Sequence, residues 1–466
     1  MHDNRRYVKL ALICLAGLLP LASTQGARAE IVTSQTDQGV LAIAADGTPY
    51  VAYTIGRQLY VATRAHPDRW QARRLGGLPG GRVLLAGIAV SERPRRSVSV
   101  LAEDEQGAWV VLARGNRIET LARAGAKSSF GPAGLTLDRR QRPAVAYAVH
   151  RESGRTSLRL ITFDAAGRRQ ARTITREGFP SSVFPPGAAP VLVRGRLHVV
   201  ETFTEAAMSG AIDWGPKAGG DWEGQFLFAS VGSSPLGLVG AVFLSSTLWS
   251  AWTLVSPGAE SQDISVSLTS SAATQETSSL THGIFVAIAN GGQEPEVGAY
   301  DWVDVSGDWR AYAAIVIAGR GAARWQLDGR LAGYAIGRGG SRQVLLSRES
   351  GLEWFRAPAP GLPGIEITMG PVDAGGTVTG TVVGATSGTV DIYHEIPHAP
   401  RELVATSPVA ADGSFHASGL ASDPANLYRA VYVEPRTGIP FGFLPGVPAG
   451  VGLGGPSPLL SSSPDA

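Results

Sequence analysis

Cysteine is all but absent from this chain. The only one among 466 residues, Cys14, sits in an apolar run near the N-terminus. Downstream of it, disulfides, thiolate metal ligands and a cysteine nucleophile are excluded. Lysine is nearly as scarce: Lys9, Lys127 and Lys217 are the three, and arginine supplies the rest of the 41 cations. Charged residues make up only 17% of the chain. The balance beyond the leader is close to neutral, which argues against a nucleic-acid partner. No segment of useful length carries a helical period. No glycine-rich loop ends in Gly-Lys-Ser/Thr, and no Gly-x-Ser-x-Gly elbow occurs. No C-terminal hydrophobic run supplies a membrane anchor.

The leader itself is legible. Arg5, Arg6 and Lys9 precede the apolar run Leu10 to Leu21, and Ala27-Arg28-Ala29 forms a small-residue cleavage signal before Glu30. The run is shorter than the roughly 20 residues a membrane span needs. Residues 1–29 therefore read as a signal peptide, and the mature protein as secreted, extracellular or periplasmic. Charge is uneven beyond that point. From Glu30 to Lys217 there are 26 basic and 16 acidic residues, whereas Ala218 to Trp309 holds ten acids and no base. Such a dipolar body is suited to self-association or to orienting on a charged polymer.

What is present is a repeat. Asp46-Gly47 is followed by Tyr53-Thr54-Ile55-Gly56-Arg57, then Arg64 and Trp70. Asp328-Gly329 is followed by Tyr334-Ala335-Ile336-Gly337-Arg338, then Arg348 and Trp354. In both copies the arginine stands six residues before the tryptophan. A looser copy runs from Asp138 through Pro143 to Tyr147 and on to Leu158 to Thr162. Strand-rich units centre near Val51, Val98, Val145, Val199, Trp249, Phe285 and Gly333. Self-similarity at a period of about 40 to 50 residues in strand-only sequence predicts an all-β fold with a β-propeller over residues 30–356, of about seven blades with six the alternative. Ser270 to Thr281 reads as a long loop.

Ala357 to Gly364 carries three prolines and reads as a linker, 357–364. Residues 365–445 change grammar: Val378, Gly380 and Val382 alternate with threonines, and Leu427 to Val433 is another strand. About seven short strands predict an immunoglobulin-like β-sandwich without its disulfide. Residues 446–466 read as a disordered tail.

The Asp-Gly, strand and later Trp of the repeat resemble bacterial neuraminidase-type and related secreted propeller repeats, over about Ile31 to Pro360. The resemblance implies the propeller fold. The sialidase Asp-box, Ser/Thr-x-Asp-x-Gly-x-x-Trp/Phe, does not occur in this sequence.

Two patterns bear on chemistry. His394-Glu395-Ile396-Pro397-His398 matches the zinc-protease His-Glu-x-x-His, which works only on a helix. Pro397 and the strand-like Thr389 to Tyr393 place it on a strand end, where the two imidazoles stand about 13 Å apart, too far for one zinc. Four tryptophans follow an aspartate: Asp213-Trp214, Asp221-Trp222, Asp301-Trp302 and Asp308-Trp309. Sugar sites pair an aromatic face with carboxylates for hydroxyls, so these eight residues are the candidate ligand-binding set. Asp301, Asp304 and Asp308 alternatively hold calcium, although their spacing is not that of an EF-hand. The expectation is a non-catalytic secreted or envelope-associated protein that presents a propeller surface to a glycan or an envelope protein, with no cofactor. The alternative is a glycan-active hydrolase or lyase, which needs two carboxylates about 5 to 10 Å apart.

Overall fold

The chain is all-β. A computed structural model describes residues 30–36, 38–66, 69–92, 95–175, 187–205, 208–231, 234–257, 262–272, 277–305, 308–318, 323–358 and 362–444. These residues contain no helix, and so none long and apolar enough to cross a membrane. Short runs of Val, Ile, Leu and Tyr between Gly, Asp and Ser turns fold into up-and-down antiparallel sheets of four strands. The first sheet comprises Gly39–Ile43, Pro49–Ile55, Gln58–His66 and Arg69–Gly77. The order repeats over 83–123, 188–231, 234–282 and 284–328, and over 134–173 with the additional short strand Ser128–Phe130. Where a Ser/Thr-rich loop is expected over Ser270 to Thr281, Thr277–His282 instead forms the outer strand of its sheet, opposite Ser265 to Thr269. In the partner strand, Ile264, Val266 and Leu268 alternate with Ser265, Ser267 and Thr269, the period of a strand.

The sheet at 330–357 takes its fourth strand from the other end of the chain. Glu30–Thr33 pairs antiparallel with Gly351–Ala357, with Glu30 opposite Trp354. The innermost strands close a circle. Gly39–Ile43 packs on Val83–Ser91, and contacts continue through Gly134–Leu137, Ala188–Val193, Ser234–Leu244, Ile284–Ala289 and Arg330–Ile336, which returns to Gly39–Ile43. That closed ring of radial sheets is a β-propeller, and closure removes the exposed edges an open stack would present.

The circle is tight, and sequence allows it locally. The register of the inner strands shifts between Leu85 and Gly87, Leu236 and Val239, Phe285 and Ala287, and Leu331 and Gly333. Each bulge re-aims the strand where it meets its neighbour. Gly333 sits at the closure, where a Cβ would lie 2.7 Å from Leu41 Cβ and 3.0 Å from Leu41 N. The two copies of the repeat meet here as well. The rings of Trp70 and Trp354 pack edge-on at 5.7 Å, and the Arg64 guanidinium lies 4.9 Å from the Trp354 ring centroid while also pairing with Glu30.

Because each sheet runs up and down, its first-to-second and third-to-fourth turns lie at one end of the ring. Its second-to-third turn lies at the other. Ion pairs agree: Asp46 and Arg96, in first-to-second turns of neighbouring sheets, are 2.8 Å apart, and Arg82 and Glu105, flanking paired strands of the 83–123 sheet, meet at 3.0 Å at the opposite end.

After the ring, the chain builds two facing sheets. One contains Glu366–Met369, Val378–Val383 and Ser414–Ala417, in that order. The other runs Pro440–Phe443, Leu427–Val433, Thr389–Glu395, Glu402–Pro408, and its first strand pairs with the outer ring strand Ala323–Asp328 through Leu327 and Phe441. Val378, Val382, Phe415, Val390, Ile392 and Phe441 share one core with the ring residues Leu327, Val344 and Phe355. The proline-rich segment is packed in its described part: Leu362 and Ile365 are buried, and Trp325 Nε1 donates to Pro363 O at 3.0 Å.

Polar clamping completes the joint. Asp328 is 1% exposed and accepts from Arg401 (2.7 and 3.0 Å), Arg348 (2.8 Å) and Arg429 (2.8 Å). Burial alone pushes its carboxyl pKa up, but the three guanidiniums outweigh burial and hold it well below the usual carboxylate range.

Gly333→Ala should therefore destabilise the ring by about 2 kcal/mol through overpacking at the closure. Thermal unfolding of the variant measures it, and an unchanged midpoint would show that Leu41 yields without cost.

Candidate functional site

The sheet at 188–231 carries an open cleft of about 420 Å³ at its outer edge, lined by His198, Asp213, Gly215, Pro216, Lys217, Glu223, Gly224 and Gln225. Strand register builds it. Val199 pairs with Trp214 and Trp214 with Gly224. Gly215 makes room beside one ring, since a Cβ there would lie 2.7 Å from the His198 ring, while a Cβ on Gly224 would lie 2.9 Å from the Trp214 ring on the other face of the sheet. His198 Nδ1 sits 3.0 and 3.1 Å from the two carboxylate oxygens of Asp213. With the proton placed on Nδ1, the carboxylate fixes the imidazole and Nε2 remains an acceptor. At the rim, Lys217 Nζ lies 3.1 Å from Glu223 Oε1, with both side chains half exposed or more. The cleft thus gathers two carboxylates, an imidazole, an ammonium and an amide, a donor and acceptor set suited to hydroxyl-bearing ligands. Among the described lining residues there is no hydroxyl or thiol nucleophile, and both carboxylates have partners, Asp213 in its hydrogen bond with His198 and Glu223 in its ion pair with Lys217.

Beneath the cleft, Trp214 Nε1 donates to Glu201 at 2.9 Å. Glu201 is 2% exposed, and burial lifts its pKa to about 7 despite that bond. Glu103 is a second such group. It accepts from Ala133 N at 2.8 Å, joining the 83–123 sheet to the next inner strand, and burial lifts its pKa to about 8.

The ring encloses a central cavity of about 500 Å³. Its wall is mainly small and apolar, with Leu41, Leu85, Ile88, Leu135, Phe285 and Leu331. Polar groups come from Gln38, Thr136, Tyr300 and Arg330. Arg330 lies 5.7 Å from the Tyr312 ring centroid, and Tyr300 meets Tyr312 edge-on at 5.8 Å. Burial raises the Tyr300 phenol pKa, opposed by the positive charge of Arg330. No carboxylate is among the described residues of the wall.

The eight candidate residues do not converge. Asp213 lines the cleft, and Asp221 is exposed in the turn below it, its carbonyl accepting from Lys217 N at 2.7 Å. Trp214 and Trp222 pack, partly buried, on the cluster of Ala144, Leu158, Leu160 and Val199, so their rings join two sheets. Asp301 is 1% exposed. Trp302, Asp308 and Trp309 stand on the strands Glu296–Val305 and Asp308–Ala318, at the opposite end of the ring from the cleft. Their side chains, and that of Asp304, lie outside the described residues. Sequence reasoning missed His198, Lys217, Glu223 and Gln225. His198 is a lone histidine on a strand, and only cross-strand register brings it to Asp213.

The His-Glu-x-x-His segment is the strand end expected. His394 ends up against the Tyr428 ring at 5.3 Å, Glu395 pairs with Arg429, and His398 has a φ of 57° in a turn. Among the described residues, no group of three or more His, Cys, Asp or Glu is placed to hold a metal ion.

No family model matches the chain, and no curated protein matches it in sequence. Similar solved structures include a triple arginine mutant of AofleA from Arthrobotrys oligospora (12% identity, TM-score 0.38, 62% of this chain and 86% of that one). A Hadza microbial sialidase gives 12% identity and a TM-score of 0.39 over 67% of this chain and 73% of its own. Aleuria aurantia lectin with alpha-methyl-L-fucoside gives 10% and 0.37, over 69% and 91%.

Glu103 and Glu201 fix a pH dependence. Both keep their proton to a higher pH in the fold, to about 8 and about 7, whereas in the unfolded chain they ionise near their ordinary value of 4.5. The native state therefore binds more protons, and stability falls as pH rises from about 4.5 towards 8. Glu103→Gln keeps an acceptor for Ala133 N and removes one titration. Its unfolding midpoint, measured between pH 5 and 8, should decline less than that of the wild type, and parallel declines would contradict the assignment.

Proposed function

We propose that this protein is a secreted or envelope-associated, non-catalytic binding protein that takes hydroxyl-rich ligands of the glycan class in the His198–Asp213 cleft. The observation that carries the reading is the convergence of Asp213, His198, Lys217, Glu223 and Gln225 around one solvent-open space beside Gly215.

The frame we propose is a seven-bladed ring over residues 30–356, a connector at 357–364 and an immunoglobulin-like sandwich at 365–445. The cyclic contact of the inner strands supports the blade count. The split of the last strands into a three-stranded and a four-stranded layer, with the third, fourth, sixth and seventh together, supports the sandwich class. Residues 1–29, as an export signal, support the location.

Each charged hydrogen bond to a ligand is worth about 1.5 to 3 kcal/mol, so Asp213→Asn and His198→Ala should each weaken retention on a glycan array about tenfold or more. Trp222→Ala should leave retention unchanged apart from its cost in stability. Release of reducing ends by the wild type, lost in Asp213→Asn, would replace binding by hydrolysis.

A further inference from the structure

The end of the ring that carries the cleft also gathers arginine. Arg95 lies in the first-to-second turn of the 83–123 sheet, and Arg117 follows its third-to-fourth turn. Arg139 and Arg140 occupy the next first-to-second turn, and Arg194 and Arg196 flank the one after that. All six are exposed. The turns adjoin: Arg139 Cδ lies 3.7 Å from where a Cβ would stand on Gly195, and Ala45 N donates to Glu92 across two neighbouring turns at 2.7 Å.

Most acids at this end are already engaged, Asp221 in the turn beside the cleft being an exposed exception. Asp46 and Glu92 hold Arg96, Asp138 holds Arg142, Asp164 holds Arg168, Glu119 holds Arg114 and Glu223 holds Lys217. None of the six arginines has a carboxylate partner among the described residues. Uncompensated charge therefore runs as an arc across three consecutive sheets and ends beside the cleft.

We infer that this arc binds an acidic polysaccharide, one bearing carboxylate or sulfate groups along its length. The inference rests on the glycan-binding reading for the class of ligand and adds its charge. A guanidinium meets a planar carboxylate or a sulfate with two parallel N–H donors, which an ammonium does not. Charges strung over three sheets suit a repeating chain better than a single small anion. A bilayer fits less well, because the exposed large apolar residues, such as Ile31, Phe226 and Leu403, stand on strands and none is in these turns.

The test compares the full chain with an Arg139→Gln, Arg140→Gln, Arg194→Gln, Arg196→Gln variant on immobilised polygalacturonate and on a neutral galactan. Phosphatidylglycerol vesicles form a third arm. Wild type should be retained on polygalacturonate, with affinity falling steeply as salt rises from about 50 to 200 mM. The variant should lose about tenfold or more and show a flatter salt slope, with an unchanged unfolding midpoint because the replaced side chains make no ion pair or hydrogen bond among the described residues. Equal retention by the variant would overturn the inference, as would binding to the vesicles without binding to polygalacturonate. Asp213→Asn separates the two readings. If it still binds polygalacturonate while the arginine variant does not, the arc stands and the cleft falls. If it alone loses binding, the cleft stands and the arc is overturned.

Discussion

Everything in the ring depends on one short strand pairing. Glu30–Thr33 supplies the outer strand of the sheet whose other three strands lie at the far end of the ring sequence, at 330–357. Without it, the edge of that sheet would move inward to Gly351–Ala357, and Arg64 and Trp70 would lose the Glu30 carboxylate to which both donate. Closure also sets how closely the inner strands must crowd, which explains the glycine at position 333 and the repeated bulges. The end-to-end likeness of the two repeat copies has the same cause: their tryptophans have to fit against each other.

A second constraint locks the C-terminal sheets to that ring. Asp328 ends the outer strand of the 284–328 sheet and is gripped by one guanidinium from the ring and two from the C-terminal sheets. Removing a single partner would leave charge buried and unpaired, which is costly, so the cluster specifies the docking geometry. The same aspartate opens the second repeat copy. There it is a buried anchor, whereas its counterpart Asp46 is an exposed turn residue held by Arg96.

The architecture was legible because it is periodic. Alternation, turn residues and the repeated Tyr-x-Ile-Gly-Arg announce strands, their spacing and their cyclic order. The site was far less so. Asp213 is visible as half of an Asp-Trp pair, yet its working neighbour is His198 on another strand, and pairing register leaves no mark in composition. Trp214 and Trp222 illustrate the converse: a residue pattern suited to sugar also suits packing between sheets, and here packing takes the rings. The arginine arc lies between these cases. An excess of basic residues from Glu30 to Lys217 is plain in the sequence, but only the alternation of turns shows which arginines share one end of the ring.

The bridge between Leu327 and Phe441 has a mechanical meaning. It makes a ring sheet and a C-terminal sheet one continuous β-structure, with Asp328 clamped directly beside the seam. The two bodies therefore cannot swivel as beads on a string. A pull applied through the C-terminal sheets would load the seam and its guanidinium clamp together, and the ring would turn with them as a rigid lever. Whatever the ring holds is consequently held at a set angle to the rest of the molecule.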